Sequence, residues 1–250
     1  MKKFWKTLAG TCIYQTPDGI KVYQNLLYRW LTLESDLLQT LINRYQPHIP
    51  SLQYINPFTF ALRSSPSRCC LLGLGGGAVA HAMSASLNDI PITAVESSQT
   101  VIHTASRYFM TDKIKNLEII HQDANIFVQT CKTNYQHLLI DIYNGDNFPT
   151  HCNHSEFFGF CNQILLPNGI LSINLASIDE AWAIMQHIRE HFNQKTVCMP
   201  VKGTANMVIL TCKAPSVNML LDLFNHSGEL NKMVWDTQWG YVAELRPKFL

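Results

Sequence analysis

The sequence predicts an α/β fold whose core is a mostly parallel, doubly wound sheet. From residue 68 onward, short apolar runs alternate with helical patterns in the order strand, helix, strand, helix. The apolar runs are continuous rather than alternating, as strands buried on both faces of a parallel sheet require. A glycine-rich turn between Gly73 and Gly77 joins the first of these runs to the first helix.

Residues 1–64 predict a separate, smaller region of strands and short helices. Apolar and polar residues alternate on both sides of a turn at Pro17, Asp18 and Gly19. We therefore expect a small antiparallel β-hairpin unit of two or three strands, at 11–16, 20–25 and 28–33.

Two helices are expected to follow these strands. A helix through Tyr45 is expected because residues 37, 38, 41 and 42 place leucine and isoleucine on one helical face. Ser35 or Asp36 is a typical N-cap residue for this helix. A second, short helix is expected over about 52–62, before the Ser64-Ser65-Pro66 break.

Residues 65–250 predict one Rossmann-like, nucleoside-binding domain. Its five expected parallel strands lie at 69–73, 92–96, 117–121, 137–141 and 170–174. Helices are expected at 78–87, 99–109, 124–130, 156–165 and 179–192. Two final strands, 196–201 and 206–213, are separated by a turn so short that they must form an antiparallel hairpin. By analogy, parallel strands with an antiparallel C-terminal hairpin suit the sheet of S-adenosylmethionine-dependent transferases.

The last part of the chain predicts little regular structure. Residues 217–224 form an amphipathic helical pattern, and irregular chain containing Trp235, Trp239 and Tyr241 is expected after it.

Composition excludes several classes of partner. The 250 residues are 47% hydrophobic and 15% charged, and the formal net charge is +1. Such a weak charge argues against nucleic acid or an anionic membrane as a partner. Neither a leader pattern nor a long apolar run is present, and the eight cysteines form no C-x-x-C pair. We expect a cytoplasmic protein with reduced thiols.

The glycine turn predicts a binding site for an adenosine-containing ligand. In doubly wound sheets, ligands bind beyond the carboxyl ends of the strands, and glycine lets the backbone approach them closely. The candidate turn residues are Gly73, Gly75, Gly76 and Gly77. Glu96 ends the next strand, about 20 residues further on, where a carboxylate can hold ribose hydroxyls. The glycines alone leave a nicotinamide-dependent dehydrogenase open, although the terminal hairpin argues against it.

Asp123 and Ala124 follow the third strand at the same edge of the sheet. Asp123 is suited to accept a hydrogen bond from an adenine amino group. It is equally suited to cap the helix at 124–130, and both roles can coexist.

Asp141 closes an apolar strand, and a polar loop with Gly145 follows it. An acid there faces the reactive end of a bound nucleoside, where it can hold an amine and accept its proton. The alternative interpretation is a turn aspartate that binds loop amides.

Two further patterns contain side chains that can bind metals. Residues 187–191 match H-x-x-E-H, an inverted zinc-protease pattern, and His151, Cys152 and His154 cluster in a loop. The first lies in a helix away from the expected ligand edge, and the second has no standard zinc spacing. We predict no metal site.

Several of these motifs, in the same order, resemble the spermidine synthase (polyamine aminopropyltransferase) family, most of all its divergent spermidine-synthase-like branch. They are Leu72-Gly73-Leu74-Gly75-Gly76-Gly77, Val95-Glu96, Gln122-Asp123-Ala124 and Leu139-Ile140-Asp141-Ile142-Tyr143-Asn144-Gly145-Asp146. Upstream, Tyr28-Arg29-Trp30-Leu31-Thr32-Leu33 and Gln39-Thr40 resemble the strand and glutamine motif of that family. The resemblance covers about residues 12–213.

The resemblance implies a transferase that binds a sulfonium nucleoside donor, either decarboxylated S-adenosylmethionine or S-adenosylmethionine, without a metal. It also implies a small-molecule amine substrate and a homodimer. Glu96 would hold the ribose, Asp123 would lie near adenine, and Asp141 would be the catalytic acid on the substrate side. The candidate substrate-binding residues are Gln39, Tyr54, Tyr143 and Asp146.

The chain departs from the family pattern where acids are usual. Ala78 stands where the family carries an aspartate after the glycines, and Asn144 stands where a second acid follows the strand-end acid. Because an unpaired buried ammonium is costly, these changes weaken the case for a diamine. Three alternatives stay open: aminopropyl transfer to a polyamine such as putrescine, S-adenosylmethionine-dependent methyl transfer, and a non-catalytic nucleoside-binding or dimerisation module.

Overall fold

The computed structural model describes residues 9–33, 38–143 and 147–246, which form two sheets. The smaller sheet is antiparallel and has the order β1-β2-β3-β4. Its strands are β1 (Thr11–Gln15), β2 (Lys21–Gln24), β3 (Tyr28–Thr32) and β4 (Leu38–Asn43). The three predicted N-terminal strands are therefore confirmed.

The predicted helix ending at Tyr45 is wrong, because the chain there forms strand β4. Thr40, Leu41 and Ile42 are all buried, on alternating faces of a strand paired with β3. A strand covered on both faces buries consecutive residues, and this pattern is easily mistaken for a helical one. The candidate caps Ser35 and Asp36 lie outside the described residues.

The larger sheet has the order β12-β13-β10-β11-β9-β8-β5-β6-β7. Its five mutually parallel strands are β5 (Cys69–Leu72), β6 (Ile92–Glu96), β7 (Leu117–His121), β8 (Tyr135–Ile140) and β9 (Leu165–Leu175). The predicted antiparallel hairpin is formed by β10 (Val197–Pro200) and β11 (Met207–Cys212). The predicted Rossmann-like sheet with an antiparallel C-terminal hairpin is confirmed.

Helices cover both faces of this sheet. They are α1 (Ile55–Phe58), α2 (Phe60–Ser64), α3 (Ala78–Leu87), α4 (Gln99–Phe109), α5 (Ala124–Thr130), α6 (Ser155–Gln163), α7 (Ile178–His191) and α8 (Asn218–Ser227). Strand β5 shows why its sequence is continuously apolar: Leu71 belongs to one hydrophobic cluster, whereas Cys70 and Leu72 belong to another. The expected short helix over 52–62 is present as α1 and α2, which connect the two sheets. The division of the chain at residues 64 and 65 stays a prediction.

The predicted irregular C-terminal chain is also wrong. After α8, strands β12 (Leu230–Asp236) and β13 (Gly240–Leu245) form an antiparallel hairpin, and β13 pairs in parallel with β10. Asp236 accepts hydrogen bonds from two turn amides, and Trp235 contacts Tyr241 across the hairpin with ring centroids 5.0 Å apart. Such turn and cross-strand contacts stabilise the hairpin without a strongly apolar sequence.

All eight cysteines are free thiols, and burial raises the pKa of Cys69 and Cys198 to about 12. No helix within the described ranges is long and apolar enough to span a membrane.

Candidate functional site

Two adjoining cavities lie at the carboxyl ends of the parallel strands. The smaller cavity, of about 120 Å³, is lined by residues that include Glu96, Asp123 and Ala124. The larger cavity, of about 420 Å³, is lined by residues that include Tyr54, Ala78 and Asn206. Gln39, Gly75, Asp141 and Tyr143 line both. This is the edge of the sheet at which a ligand is expected.

The glycine turn passes so close to its neighbours that side chains are excluded. Gly73 has φ +91°, and a Cβ built on it would lie 2.1 Å from the carbonyl oxygen of Asp141. Gly77 has φ +81° at the start of α3, and a Cβ there would lie 2.3 Å from Thr111 Cγ2. Both positions combine a left-handed backbone with a close approach, which only glycine tolerates.

Strand β4 packs directly on this turn. The backbone N–H of Gly76 donates a hydrogen bond to Thr40 Oγ1 at 2.8 Å, and a Cβ on Gly76 would lie 2.7 Å from Thr40 Cγ2. The neighbouring Gln39 lines both cavities. The strand that the sequence analysis mistook for a helix is thus a wall of the candidate site.

Glu96 is fixed by three backbone amides. Its Oε2 accepts from Leu74 N at 3.1 Å and from Gly75 N at 3.4 Å, and its Oε1 accepts from Ser98 N at 3.0 Å. These bonds hold the carboxylate between the glycine turn and the start of α4, where it borders the smaller cavity. A carboxylate oriented in this way can accept further hydrogen bonds from ligand hydroxyls.

Asp123 both caps a helix and borders the smaller cavity. Its Oδ1 accepts from Asn125 N at 2.9 Å and from Ile126 N at 3.1 Å, which is the N-cap arrangement of α5. Its Oδ2 lies 2.9 Å from Nε2 of His151, and Ala124 follows as the first residue of α5. The two roles considered for Asp123 are geometrically compatible, and its contact with adenine stays a prediction.

Asp141 follows β8 and lies where the two cavities meet. Its Oδ2 accepts from the Tyr54 hydroxyl at 2.8 Å, and its Oδ1 accepts from Asn174 Nδ2 at 2.9 Å. Burial raises the pKa of the Asp141 carboxyl, and the hydrogen bonds from Asn174 and Tyr54 oppose that rise. Burial and the neighbouring carboxylate raise the pKa of Tyr54 well above its ordinary value, so the phenol remains a donor.

Tyr143 borders both cavities, and its hydroxyl donates to the backbone carbonyl of Asn174. Burial raises the pKa of Tyr143 well above its ordinary value.

Ala78 lines the larger cavity, so the alanine that replaces the family's aspartate lies in the cavity wall. Asp146, the remaining predicted substrate-binding residue, and Asn144 lie outside the described residues.

Sequence reasoning missed two side chains of the larger cavity, Asn174 and Asn206. Asn206 Nδ2 donates to Asn174 Oδ1 at 3.0 Å, and Asn174 in turn binds Asp141. Asn174 lies near the end of an apolar strand, as Glu96 does, so its position carried the same signal. Asn206 lies at a hairpin turn, and no local pattern distinguishes it.

Histidines of the two patterns with metal-binding side chains, at 187–191 and 151–154, make structural contacts instead. His191 Nε2 lies 2.9 Å from Ser155 Oγ, and the His187 ring stacks on Phe158 with centroids 6.4 Å apart. His154 accepts the Phe157 N–H as the N-cap of α6. Within the three described ranges, no group of three or more His, Cys, Asp or Glu side chains is arranged to hold a metal ion.

Comparison with known proteins finds sequence relatives but no matching family model. A Vibrio vulnificus protein named polyamine aminopropyltransferase is 28% identical over 175 residues, which are 69% of this chain and 50% of that protein. A Neisseria meningitidis protein of the same name is 25% identical over 202 residues, covering 78% of this chain and 76% of that protein. The chain therefore spans about half of the Vibrio relative and about three quarters of the Neisseria relative.

Solved structures share the fold. A probable spermidine synthase from Corynebacterium glutamicum superposes with a TM-score of 0.71 at 16% identity, covering 82% of this chain and 81% of that chain. A spermidine synthase in complex with the transition-state analogue AdoDATO gives 0.66 at 17% identity, covering 82% and 75%. Human methyltransferase-like protein 13 in complex with SAH gives 0.59 at 16% identity, covering 70% and 90%. At these identities the likeness establishes the fold.

Proposed function

We propose that the chain, which is similar in sequence to polyamine aminopropyltransferases and in fold to a probable spermidine synthase, transfers the aminopropyl group of decarboxylated S-adenosylmethionine to an amine. The predicted acceptor is a polyamine such as putrescine. The observation that carries the proposal is the position of Asp141, a carboxylate held by Tyr54 and Asn174 at the junction of two cavities.

The smaller cavity suits the nucleoside of the donor. Glu96 offers carboxylate oxygens for ribose hydroxyls, and Asp123 and Ala124 line the same cavity. The bare backbone of the glycine turn allows the donor to lie close to the strand ends. Its reactive end would then point towards Asp141, which belongs to both cavities.

The larger cavity suits an aliphatic amine. Its lining contains both apolar side chains such as Leu52 and Val79 and polar groups such as Gln39 and Tyr54. An amine held near Asp141 would have its carbon chain against the apolar part of this wall. The polar groups would bind its other end.

In the proposed reaction, the amine nitrogen attacks the methylene carbon of the aminopropyl group that is bonded to the donor's sulfonium sulfur. A C–N bond forms as the C–S bond breaks, and the bonding pair returns to sulfur to give methylthioadenosine. The nitrogen loses one proton, which Asp141 accepts directly. The sulfonium already activates the carbon, so the protein's main tasks are to align the two reactants and to keep the attacking amine neutral.

Methyl transfer is the second candidate. Its support is the likeness in fold to human methyltransferase-like protein 13 in complex with SAH. Ala78 also removes an acid that a diamine acceptor would use. A methyl donor would use the same smaller cavity and would leave S-adenosylhomocysteine.

The test is a mass-spectrometric readout of the nucleoside product. Purified protein would receive both sulfonium donors with putrescine, cadaverine and spermidine. We expect methylthioadenosine and an amine enlarged by one aminopropyl group. S-adenosylhomocysteine would instead establish methyl transfer, and donor binding without product from any amine would indicate a binding module; either result would overturn the proposal.

A pair of variants tests the role of Asp141. Asp141→Asn should abolish turnover and leave donor affinity nearly unchanged, because it keeps the shape of the side chain and removes the base. The matched control is Asp89→Asn, at an exposed aspartate outside both cavities. Turnover at the wild-type rate in Asp141→Asn would show that Asp141 is not the proton acceptor. The homodimer and the cytoplasmic location stay predictions that gel filtration and cell fractionation can check.

A further inference from the structure

Two side-chain amides, one half-buried and one buried, lead from the β10–β11 turn to Asp141. Asn206, the residue before β11, donates its Nδ2 to Asn174 Oδ1 at 3.0 Å. Asn174, in β9 and only 2% exposed, donates its own Nδ2 to Asp141 Oδ1 at 2.9 Å. Asn206 is itself held by the turn, because its backbone N–H donates to Thr204 Oγ1 at 3.1 Å.

The chemistry of the three side chains fixes the direction of these bonds. An ionised carboxylate only accepts, so Asn174 must present its amino group to Asp141. The carbonyl oxygen of Asn174 then faces Asn206, which must donate. Each end of the Asn174 amide is therefore satisfied only in one orientation, and a buried group that lost its partner would be strongly disfavoured.

We propose that Asn206 is a positioning residue, which acts through Asn174 to keep Asp141 oriented and ionised for proton acceptance. The inference rests on the proposed function for its catalytic meaning. Asn206 itself need not touch the reacting atoms. It holds the donor end of Asn174 on the carboxylate, and a hydrogen bond to the charged form favours that form.

Other titratable groups near Asp141 do not take over this role. Tyr54 donates to the other oxygen, Oδ2, and the Tyr143 hydroxyl donates to the Asn174 backbone. Glu180, whose charge also raises the pKa of Tyr143, accepts from the backbone N–H of Phe148. Among the described residues, Asn174 is therefore the side chain that donates a hydrogen bond to Asp141 Oδ1.

The decisive variant is Asn206→Asp, which keeps the shape and removes the donor. Two carboxylates would then compete for the amino group of Asn174, and the carbonyl of Asn174 would face one of them. The free energy of an ionised Asp141 rises, so it should titrate at higher pH. We expect an upward shift on the order of one pH unit, which is about a tenfold loss of the ionised form on the acid side.

The readout is the pH titration of the Asp141 carboxyl carbon by ¹³C NMR in the whole chain without substrates, assigned with Asp141→Asn. Asn206→Gln, which keeps an amide donor on a longer side chain, should retain the wild-type midpoint, and Asn206→Ala should shift it upward by less than Asn206→Asp. Asn231→Asp, at an exposed residue of β12, controls for the change in net charge. If Asn206→Asp does not fold, the contrast between the alanine and glutamine variants decides whether the amide donor of Asn206 is needed.

The same variants, assayed for turnover, separate the two proposals. If the midpoint moves as expected but no aminopropyl product forms in the wild type, the positioning role of Asn206 stands and the proposed function fails. If product forms and the acid limb of kcat/KM moves with the NMR midpoint, both stand. An unchanged midpoint in Asn206→Ala would overturn the positioning role of Asn206 even if Asn206→Asp shifts the midpoint, because the new carboxylate alone disfavours the charge on Asp141.

Discussion

Replacing Thr40 by valine tests the contact that joins the small sheet to the glycine turn. Thr40 is 2% exposed, and its Oγ1 accepts the N–H of the buried Gly76 at 2.8 Å. Valine keeps the shape of the side chain but leaves that N–H without a partner. The loss of one partner from a buried pair costs about 1–3 kcal/mol. We expect the free energy of unfolding to fall by that amount.

The neighbouring strand supplies a matched control. Thr32 of β3 is 6% exposed, and its hydroxyl has no hydrogen-bond partner among the described residues. Thr32→Val should therefore leave the free energy of unfolding unchanged or raise it. Urea unfolding followed by circular dichroism gives both values, and equal slopes would show that the unfolded state is unaffected. If Thr40→Val costs less than about 0.5 kcal/mol, the size of an ordinary surface substitution, the reasoning is refuted.

Three further predictions concern other positions. Gly73→Ala should abolish donor binding in a calorimetric titration, since the new Cβ would lie 2.1 Å from the Asp141 carbonyl oxygen; retained affinity would contradict this. Ala78→Asp should lower the KM for a diamine several-fold, because it places a carboxylate in the larger cavity at the start of α3; an unchanged KM would argue against a diamine site there. Burial lowers the pKa of His137 from 6.5 to about 4, so its contribution to stability is complete above pH 6.5 and is lost as the pH falls towards 4. His137→Gln should remove up to about 3 kcal/mol of that pH dependence, measured by urea unfolding at pH 7 and pH 4.5.

The residues at the strand ends were predictable because their signals are local. A glycine turn after an apolar strand, and acids such as Glu96 and Asp141 at the ends of later strands, are visible in short windows of sequence. The parallel topology then brings those ends to one edge. Asn174 carried the same signal and went unrecognised because an amide is a less familiar strand-end residue than an acid.

What could not be predicted depends on contacts between distant segments. Strand β4 has the apolar spacing of a helix, and its pairing with β3 decides the outcome. The bond between Asn206 and Asn174 joins residues 32 positions apart, one just before β11 and the other in its antiparallel neighbour β9. The hairpin β12–β13 is stabilised by its turn, by Trp235 against Tyr241 and by pairing with β10. None of these contacts leaves a trace in local periodicity.

Among the described residues, the C-terminal hairpin also decides which strand forms one edge of the large sheet. Without it, β10 would be outermost, and its Val197, Cys198 and Met199 are buried apolar residues. An unpaired apolar strand invites pairing with another chain. The strand that now holds the margin, β12, has an irregular register between Leu230 and Lys232 and an exposed lysine, and both features discourage such pairing. We therefore expect the C-terminal hairpin, which lines neither cavity, to reduce the tendency of this edge to pair with another chain.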